Sequence, residues 1–204
     1  MTSAPRGTRF PAPYRPRRIH TFSDTHDLNG GGGHLGLVDP DLGLIGASGS
    51  YQTLRFGGST SDTEFWRVGG EGELFLGPAT LGVNAGYINN TDVGSLDGYY
   101  ARGLIRFYPV DSLKLEGIGG VTTLDSDVVP HARALVEFKP DSLPLGFFVC
   151  WEGAFDNLVD QHFAVAGLRI YFDGFGMSER TLKDNDRVYF RDACTHTLLL
   201  TRTC

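Results

Sequence analysis

Phe65–Leu76 reads FWRVGGEGELFL, and the alternation in this stretch decides the fold. Every second residue from Trp66 (Val68, Gly70, Gly72, Leu74, Leu76) is apolar or glycine. Arg67, Glu71 and Glu73 lie between them. Successive side chains of a strand point to opposite faces, so one face is apolar and the other charged. A half-buried strand of a soluble sheet gives the same pattern, with its charged face in water. Three further features favour a closed barrel with lipid outside and a polar interior: the pattern recurs, the segments are long, and aromatics gather at their ends.

Working outward, nine segments share this character: His34–Val38, Leu42–Tyr51, Phe65–Leu76, Ala79–Asn89, Gly98–Tyr108, Leu113–Thr123, Val129–Lys139, Leu145–Phe155 and His162–Phe172. Asp39-Pro40-Asp41, Gly77-Pro78, Pro109-Val110-Asp111-Ser112 and Pro140-Asp141-Ser142 supply turn chemistry between alternate pairs. The intervening connections (52–64, 90–97, 124–128 and 156–161) tend to be longer and more polar, the two-sided loop pattern of an outer-membrane barrel. Tyr51, Trp66, Tyr87 and Tyr99 fall on the long-loop side, and Phe107, Tyr108, Phe138, Phe147, Tyr171 and Phe172 on the short-turn side. Two aromatic girdles at the membrane–water boundaries account for this clustering.

The chain of 204 residues contains 28 glycines, enough for one barrel rich in bends or close backbone approaches. No apolar run approaches the ~20 residues that a spanning helix needs. A mean hydropathy of −0.14 suits strands that are apolar only at alternate positions. Residues 1–23 hold five arginines, four prolines and no acid, within a chain of net charge −6. Residues 1–28 are therefore read as a disordered basic, proline-rich segment, without the apolar core of an export signal. The run Gly30–Gly33 is read as loop, residues 29–173 as the barrel, and residues 174–204 as a polar tail outside it. Phe172 is expected to end the last strand, and loss of residues 178–204 to leave the sheet intact. An even strand count needs either Ile19–Ser23 or a strand missing upstream, and the basic, proline-studded start is read as a truncated or misassigned N-terminus. Cys150, Cys194 and Cys204 show no metal or redox spacing.

HLGLVDPDLGLIGASGSY, RVGGEGELFLGPATLGVNAGY, RFYPVDSLKLEGIGG and AGLRIYF followed by TLKDNDR resemble a family of small, mostly uncharacterised proteobacterial outer-membrane β-barrel proteins of porin-like type. The resemblance spans roughly residues 34–187. It implies an outer-membrane location with lipid as the surrounding partner.

Signals for other chemistry are weak. Glu71 and Glu73 share a face about 7 Å apart, a spacing that invites a paired-carboxylate hydrolase, yet arginines of the same face are their expected partners. His162 with Asp156 or Asp160 is the best pair for a barrel hydrolase. Asp24, Asp27, Asp39 and Asp41 match no calcium-loop spacing. The single basic cluster, at the start of an acidic chain, gives no support for nucleic-acid binding. Neither catalytic residue, metal nor cofactor is expected.

The sequence thus predicts an all-β, antiparallel up-and-down barrel of about eight to ten strands. Its function is read as that of an outer-membrane protein of structural, adhesive or small-pore type. The alternative is a soluble β-barrel holding a small apolar ligand, with the Trp66 face turned inward. In the membrane reading, Trp66, Val68, Leu74, Leu81, Val83, Ile105, Leu113, Leu115, Val136, Val149, Leu168 and Ile170 face outward. Arg67, Glu71, Glu73, Arg102, Arg106, Lys114, Glu116, Arg133, Glu137, Glu152 and Arg169 face the lumen. Confined charges of both signs must pair, because an unpaired buried charge costs several kcal/mol. Arg102 and Arg106 facing Glu116 are the expected centre of that network.

Overall fold

The computed structural model describes residues 17–23, 26–56, 62–90, 96–124, 127–141, 143–155, 161–173, 176–177 and 180–188. Ten strands carry the fold: β1 (Arg17–Ser23), β2 (His26–Asp39), β3 (Gly43–Phe56), β4 (Asp62–Leu76), β5 (Ala79–Asn90), β6 (Leu96–Val110), β7 (Leu113–Leu124), β8 (Asp127–Phe138), β9 (Leu145–Ala154) and β10 (Gln161–Ile170). Each pairs antiparallel with its neighbour in sequence, giving one all-β, up-and-down sheet ordered from β1 to β10. Among the described residues no ladder joins β1 to β10. A separate two-stranded ribbon, β11 (Phe172–Asp173) with β12 (Gly176–Met177), precedes helix α1 (Leu182–Val188).

Turn chemistry fixes the register as the sequence predicts. The Asp39 carbonyl accepts from the Leu42 N–H at 3.1 Å, and its carboxylate accepts from the Asp41 N–H at 2.9 Å. Gly77, between β4 and β5, has φ of 60°, a left-handed conformation that costs a side chain energy. A bulge between Phe107 and Val110 ends the regular β6–β7 ladder, adding local twist before the turn.

Once register is set, every side chain is committed to one face. Of the residues expected to face outward, all are exposed except Trp66 and Leu113, which are half-buried. Leu74 is 61 % exposed and Val83 68 %, whereas Arg106 and Lys114 on the opposite face are each 2 % exposed. A water-soluble sheet buries its apolar face and solvates its charges. Here the relation is inverted.

The charged face is also the concave one. Glu73 on β4 reaches Arg106 on β6 across β5, and Glu137 on β8 reaches Arg169 on β10 across β9. Helix α1 lies against both β2 and β7. Five strand spacings in a flat sheet would separate those two strands by roughly 24 Å, about twice the width of a helix.

Three sequence boundaries are corrected. Gly30–Gly33 is not a loop but part of β2, where glycine is tolerated because Gly30–Gly32 pair with Gln52, Tyr51 and Ser50 on one side and with β1 on the other. β1 contains Ile19–Ser23, one of the two strands that an even count called for, but it and the start of β2 fall within the segment read as disordered, while residues 1–16 lie outside the described residues. β10 ends at Ile170, and Phe172 instead opens the β11–β12 ribbon, which straddles the expected boundary at residue 174. Residues 180–188 of the expected polar tail do not stand apart from the sheet, because α1 packs into its short-turn end.

Candidate functional site

Arg106 is the centre of the first ion cluster. Its Nη1 donates to both Glu73 oxygens at 2.9 and 2.8 Å, and its Nε donates to Glu116 Oε2 at 2.8 Å. The bridge to Glu73 exists because Gly82, opposite Glu73 on β5, has no side chain to block it. A Cβ there would lie 3.1 Å from Glu73 Cγ and 3.2 Å from Leu104 Cδ2. Arg133 extends the cluster to Glu116 at 3.8 Å and Glu152 at 3.4 Å, and its Nε donates to Cys150 Sγ at 3.2 Å. Glu71 takes a separate partner, His34 Nδ1 at 2.8 Å. The two carboxylates of GEGEL are thus held by different partners, His34 and Arg106, and do not form a hydrolase pair.

Glu137 anchors the second cluster and is 0 % exposed. It meets Lys114 Nζ at 2.8 Å, accepts from Arg169 Nη1 at 2.6 Å, and accepts a hydrogen bond from the Tyr171 hydroxyl. Gly146, opposite Arg169 on β9, leaves room for this convergence: a Cβ there would fall 3.0 Å from Tyr171 Cε2 and 3.3 Å from Glu137 Oε1. Gly146→Val is expected to cost ~1–3 kcal/mol through overpacking. Gly103→Ala, on the outer face with nothing within 4 Å, should leave the urea midpoint almost unmoved.

Helix α1 closes this end of the concave face. Thr181 caps it, its Oγ1 accepting from the Asp184 N–H at 3.2 Å, as an N-terminal threonine should. Seven residues are too few for a helix to persist alone, and packing supplies the difference. Leu182, Asn185 and Asp186 are buried. Asp186 Oδ2 lies 3.1 Å from Lys114 Nζ and accepts from the Tyr108 hydroxyl at 2.8 Å. Lys139 Nζ donates to the Arg180 carbonyl at 2.7 Å, Lys183 pairs with Asp111, and Arg187 donates to the Gly77 carbonyl while lying over the Phe75 ring. The helix therefore touches the β4–β5 and β6–β7 turns as well as the end of β8.

All eleven residues assigned to the lumen stand on the concave face, but Arg102 departs from its expected pairing. Its ladder partner is Gly120, four positions from Glu116, and its guanidinium lies 5.1 Å from the Tyr100 ring centroid. Sequence reading missed His34, Lys139, Tyr108, Tyr171 and Asp186 as members of the network. Lys139 shares the parity of Arg133 and Glu137, a signal present in the sequence; Asp186 becomes a member only once α1 folds back.

The aromatic assignments divide likewise. Trp66, Tyr87 and Tyr99 form a row on the outer face, with ring centroids 5.3 and 5.6 Å apart. Tyr51 is exposed opposite Trp66. Phe107, Phe138, Phe147 and Phe172 are exposed towards the other end. Tyr108 and Tyr171 are corrections: both are buried on the charged face, since each follows an outward-facing residue and strand parity turns it inward. His162 is exposed and stacks on Trp151 at 5.7 Å; Asp156 and Asp160 lie outside the described residues, as do Cys194 and Cys204. Among the described residues, no three His, Cys, Asp or Glu side chains are grouped to hold a metal. Comparison with protein families, curated proteins and solved structures yields no match to this chain.

Proposed function

We propose that the ten strands close into a barrel that sits in a bacterial outer membrane, as a structural, adhesive or small-pore protein whose lumen is filled by ion pairs. One observation carries this reading: large apolar side chains such as Leu74, Val83, Val149 and Leu168 are exposed on the convex face, while Arg106, Lys114, Glu116 and Glu137 are buried on the concave one. Lipid is the solvent that suits the first face, and a sheltered polar interior suits the second. Strands β2 to β10, of 10 to 15 residues, are long enough to cross the hydrocarbon layer, which takes ~9–11 tilted residues, whereas β1 has 7. Ten is an even number, as bacterial outer-membrane barrels require. A barrel this narrow has room for side chains but not for a wide aqueous channel. The soluble alternative requires an apolar interior for its ligand, whereas the concave face sets guanidinium, ammonium and carboxylate groups among its buried apolar side chains, such as Phe65, Ile88, Ile118 and Leu135.

Outer-membrane fractionation with unboiled gel electrophoresis tests the proposal. The full chain should sediment with outer membranes and migrate differently before and after boiling. Recovery as a soluble monomer without detergent would overturn it. Leu74→Arg supplies the energetic counterpart: at mid-bilayer it should cost ~2–4 kcal/mol of folding free energy in lipid. The same substitution on a water-facing surface would shift stability by no more than ~0.5 kcal/mol.

A further inference from the structure

Glu71 belongs to neither ion cluster; its partner is His34. The contact skips a strand, because Glu71 on β4 is the ladder partner of Gly46 on β3 and His34 stands on β2. Gly46 has no side chain to come between them. Elsewhere on the concave face such a glycine-bridged contact joins a carboxylate to arginine, as with Glu73 and Arg106 or Glu137 and Arg169. Here the carboxylate meets an imidazole. An ionised carboxylate can only accept, so His34 Nδ1 donates to Glu71 Oε1, at 2.8 Å. In the neutral ring Nε2 is then the basic nitrogen.

Ser48 is the direct ladder partner of His34. Side chains opposed in this way have Cβ atoms ~4.5–5.5 Å apart, so a χ1 rotation of Ser48 brings its Oγ within reach of the ring. Asn84 Nδ2 donates to that Oγ at 3.4 Å. The same row continues from Ser48 through Gly69 and Gly86 to Tyr100. A Cβ on Gly69 would run into the Tyr100 hydroxyl, and one on Gly86 would stand 2.8 Å from it, so the phenol lies across both glycines towards Ser48. The next row towards the short turns is Gly36, Gly46, Glu71, Asn84 and Arg102. The His34 side chain keeps 17 % of its surface exposed and that of Glu71 10 %, which shelters the pair without sealing it.

Ser48, His34 and Glu71 thus stand in the order of nucleophile, base and orienting carboxylate. A hydroxyl attacks only when a base takes its proton, and the base serves best when a third group holds its ring. Such hydrogen bonds are often open before substrate arrives and tighten with it; here Oγ is turned to Asn84. We propose that the concave face carries a hydrolase site for small carboxylic esters, with Ser48 as nucleophile, His34 as base and Glu71 as the positioning residue. Ser48 Oγ attacks the carbonyl carbon while its proton passes to His34 Nε2. The Asn84 amide, already beside Oγ, donates to the carbonyl oxygen as negative charge develops there. The bond from the carbonyl carbon to the alcohol oxygen breaks, and the alcohol leaves with the proton that His34 held. Water then attacks the acyl-Ser48 ester and gives a proton to His34, which returns it to Ser48 Oγ as the carboxylic acid departs. Ester and water become acid and alcohol, with no other reactant. The site depends on the direction of the polar face and not on whether the other face meets lipid.

Hydrolysis of p-nitrophenyl acetate by the full chain, in detergent micelles or in plain buffer if the chain is soluble there, tests the proposal together with labelling by a fluorophosphonate. Turnover above the buffer rate is expected, and a phosphonyl group that peptide mass spectrometry maps to Ser48. Ser48→Ala and His34→Ala should each lose about a hundredfold or more of the rate, the scale of a general base. Glu71→Gln should lower kcat about tenfold or more with KM little changed, because its carboxylate orients the imidazole and touches no substrate. Ser50→Ala, two positions along β3, should react as the parent does. Circular dichroism accompanies each variant, and the label mapped on the parent decides where a variant does not fold. No turnover above buffer, no label on Ser48, or an equal rate from folded Ser48→Ala would overturn the proposal. Turnover by a chain that fails to enter membranes would leave this site standing while the membrane reading falls.

Discussion

Glu137→Ala is expected to destabilise the folded chain by ~3–5 kcal/mol, the cost of breaking a buried ion pair from one side. The carboxylate is wholly buried and accepts from Arg169 at 2.6 Å and from Tyr171, with Lys114 Nζ 2.8 Å away. Alanine would remove the counter-charge of two cations while those cations stay inside. Lys114 retains Asp186 at 3.1 Å, so the Arg169 side should suffer more. Urea unfolding of the full chain in one fixed detergent or lipid, followed by circular dichroism, reads the difference. Glu137→Gln keeps an acceptor without the charge and should fall between parent and alanine variant. A shift below ~0.5 kcal/mol for Glu137→Ala, the size expected of an unremarkable surface change, would mean that water reaches this cluster and screens it.

The sheet was legible because a period of two survives through nearly every segment, and because Asp39-Pro40-Asp41 and Gly77-Pro78 are strong turn signals. The direction of the faces was legible as well, from the recurrence of the alternation and the aromatics at the segment ends; glycines such as Gly103 and Gly119 have open outer surroundings. Other features were not. Gly30–Gly33 carries no side-chain alternation, so only its pairing with both β1 and β3 reveals a strand. Phe107-Tyr108 and Tyr171-Phe172 look alike in sequence, yet adjacent residues face opposite ways, and one ring of each pair therefore leaves the girdle. Pairing across a skipped strand was hidden too, because it depends on which inward position is glycine. Gly82 and Gly146 are inconspicuous among 28 glycines, yet they let Glu73 and Glu137 find their arginines. TLKDNDR gave the least away. Its Thr181 and Asp184 carry a helix-capping pattern, but the partners of Asp186 are Tyr108 and Lys114, separated from it by more than seventy residues.

Removing residues 180–204 should therefore weaken the sheet rather than leave it untouched. Leu182 is completely buried, and exposing or losing such a side chain forfeits ~1.5–3 kcal/mol. Lys139, 0 % exposed, would lose the Arg180 carbonyl as acceptor, and Tyr108 would lose Asp186. A buried donor left unsatisfied costs ~1–3 kcal/mol, which applies to the Tyr108 hydroxyl. These losses together rival the Glu137 substitution. Leu182→Ala and Asp186→Ala separate them, the first through lost packing and the second through the two inner-face groups that the carboxylate holds. An unchanged urea midpoint for the truncated chain would show that α1 rests on the sheet without contributing to it. For the proposed membrane barrel, the same comparison in planar bilayers reports on the short-turn mouth. The full chain should be silent or open rarely, because both Asp186 and the ion pairs above it obstruct the path. The truncated chain should open more often but still weakly, since the Arg106 and Glu137 clusters remain. Large, steady conductance from the full chain would mean that these charges line a water-filled passage and do not fill it.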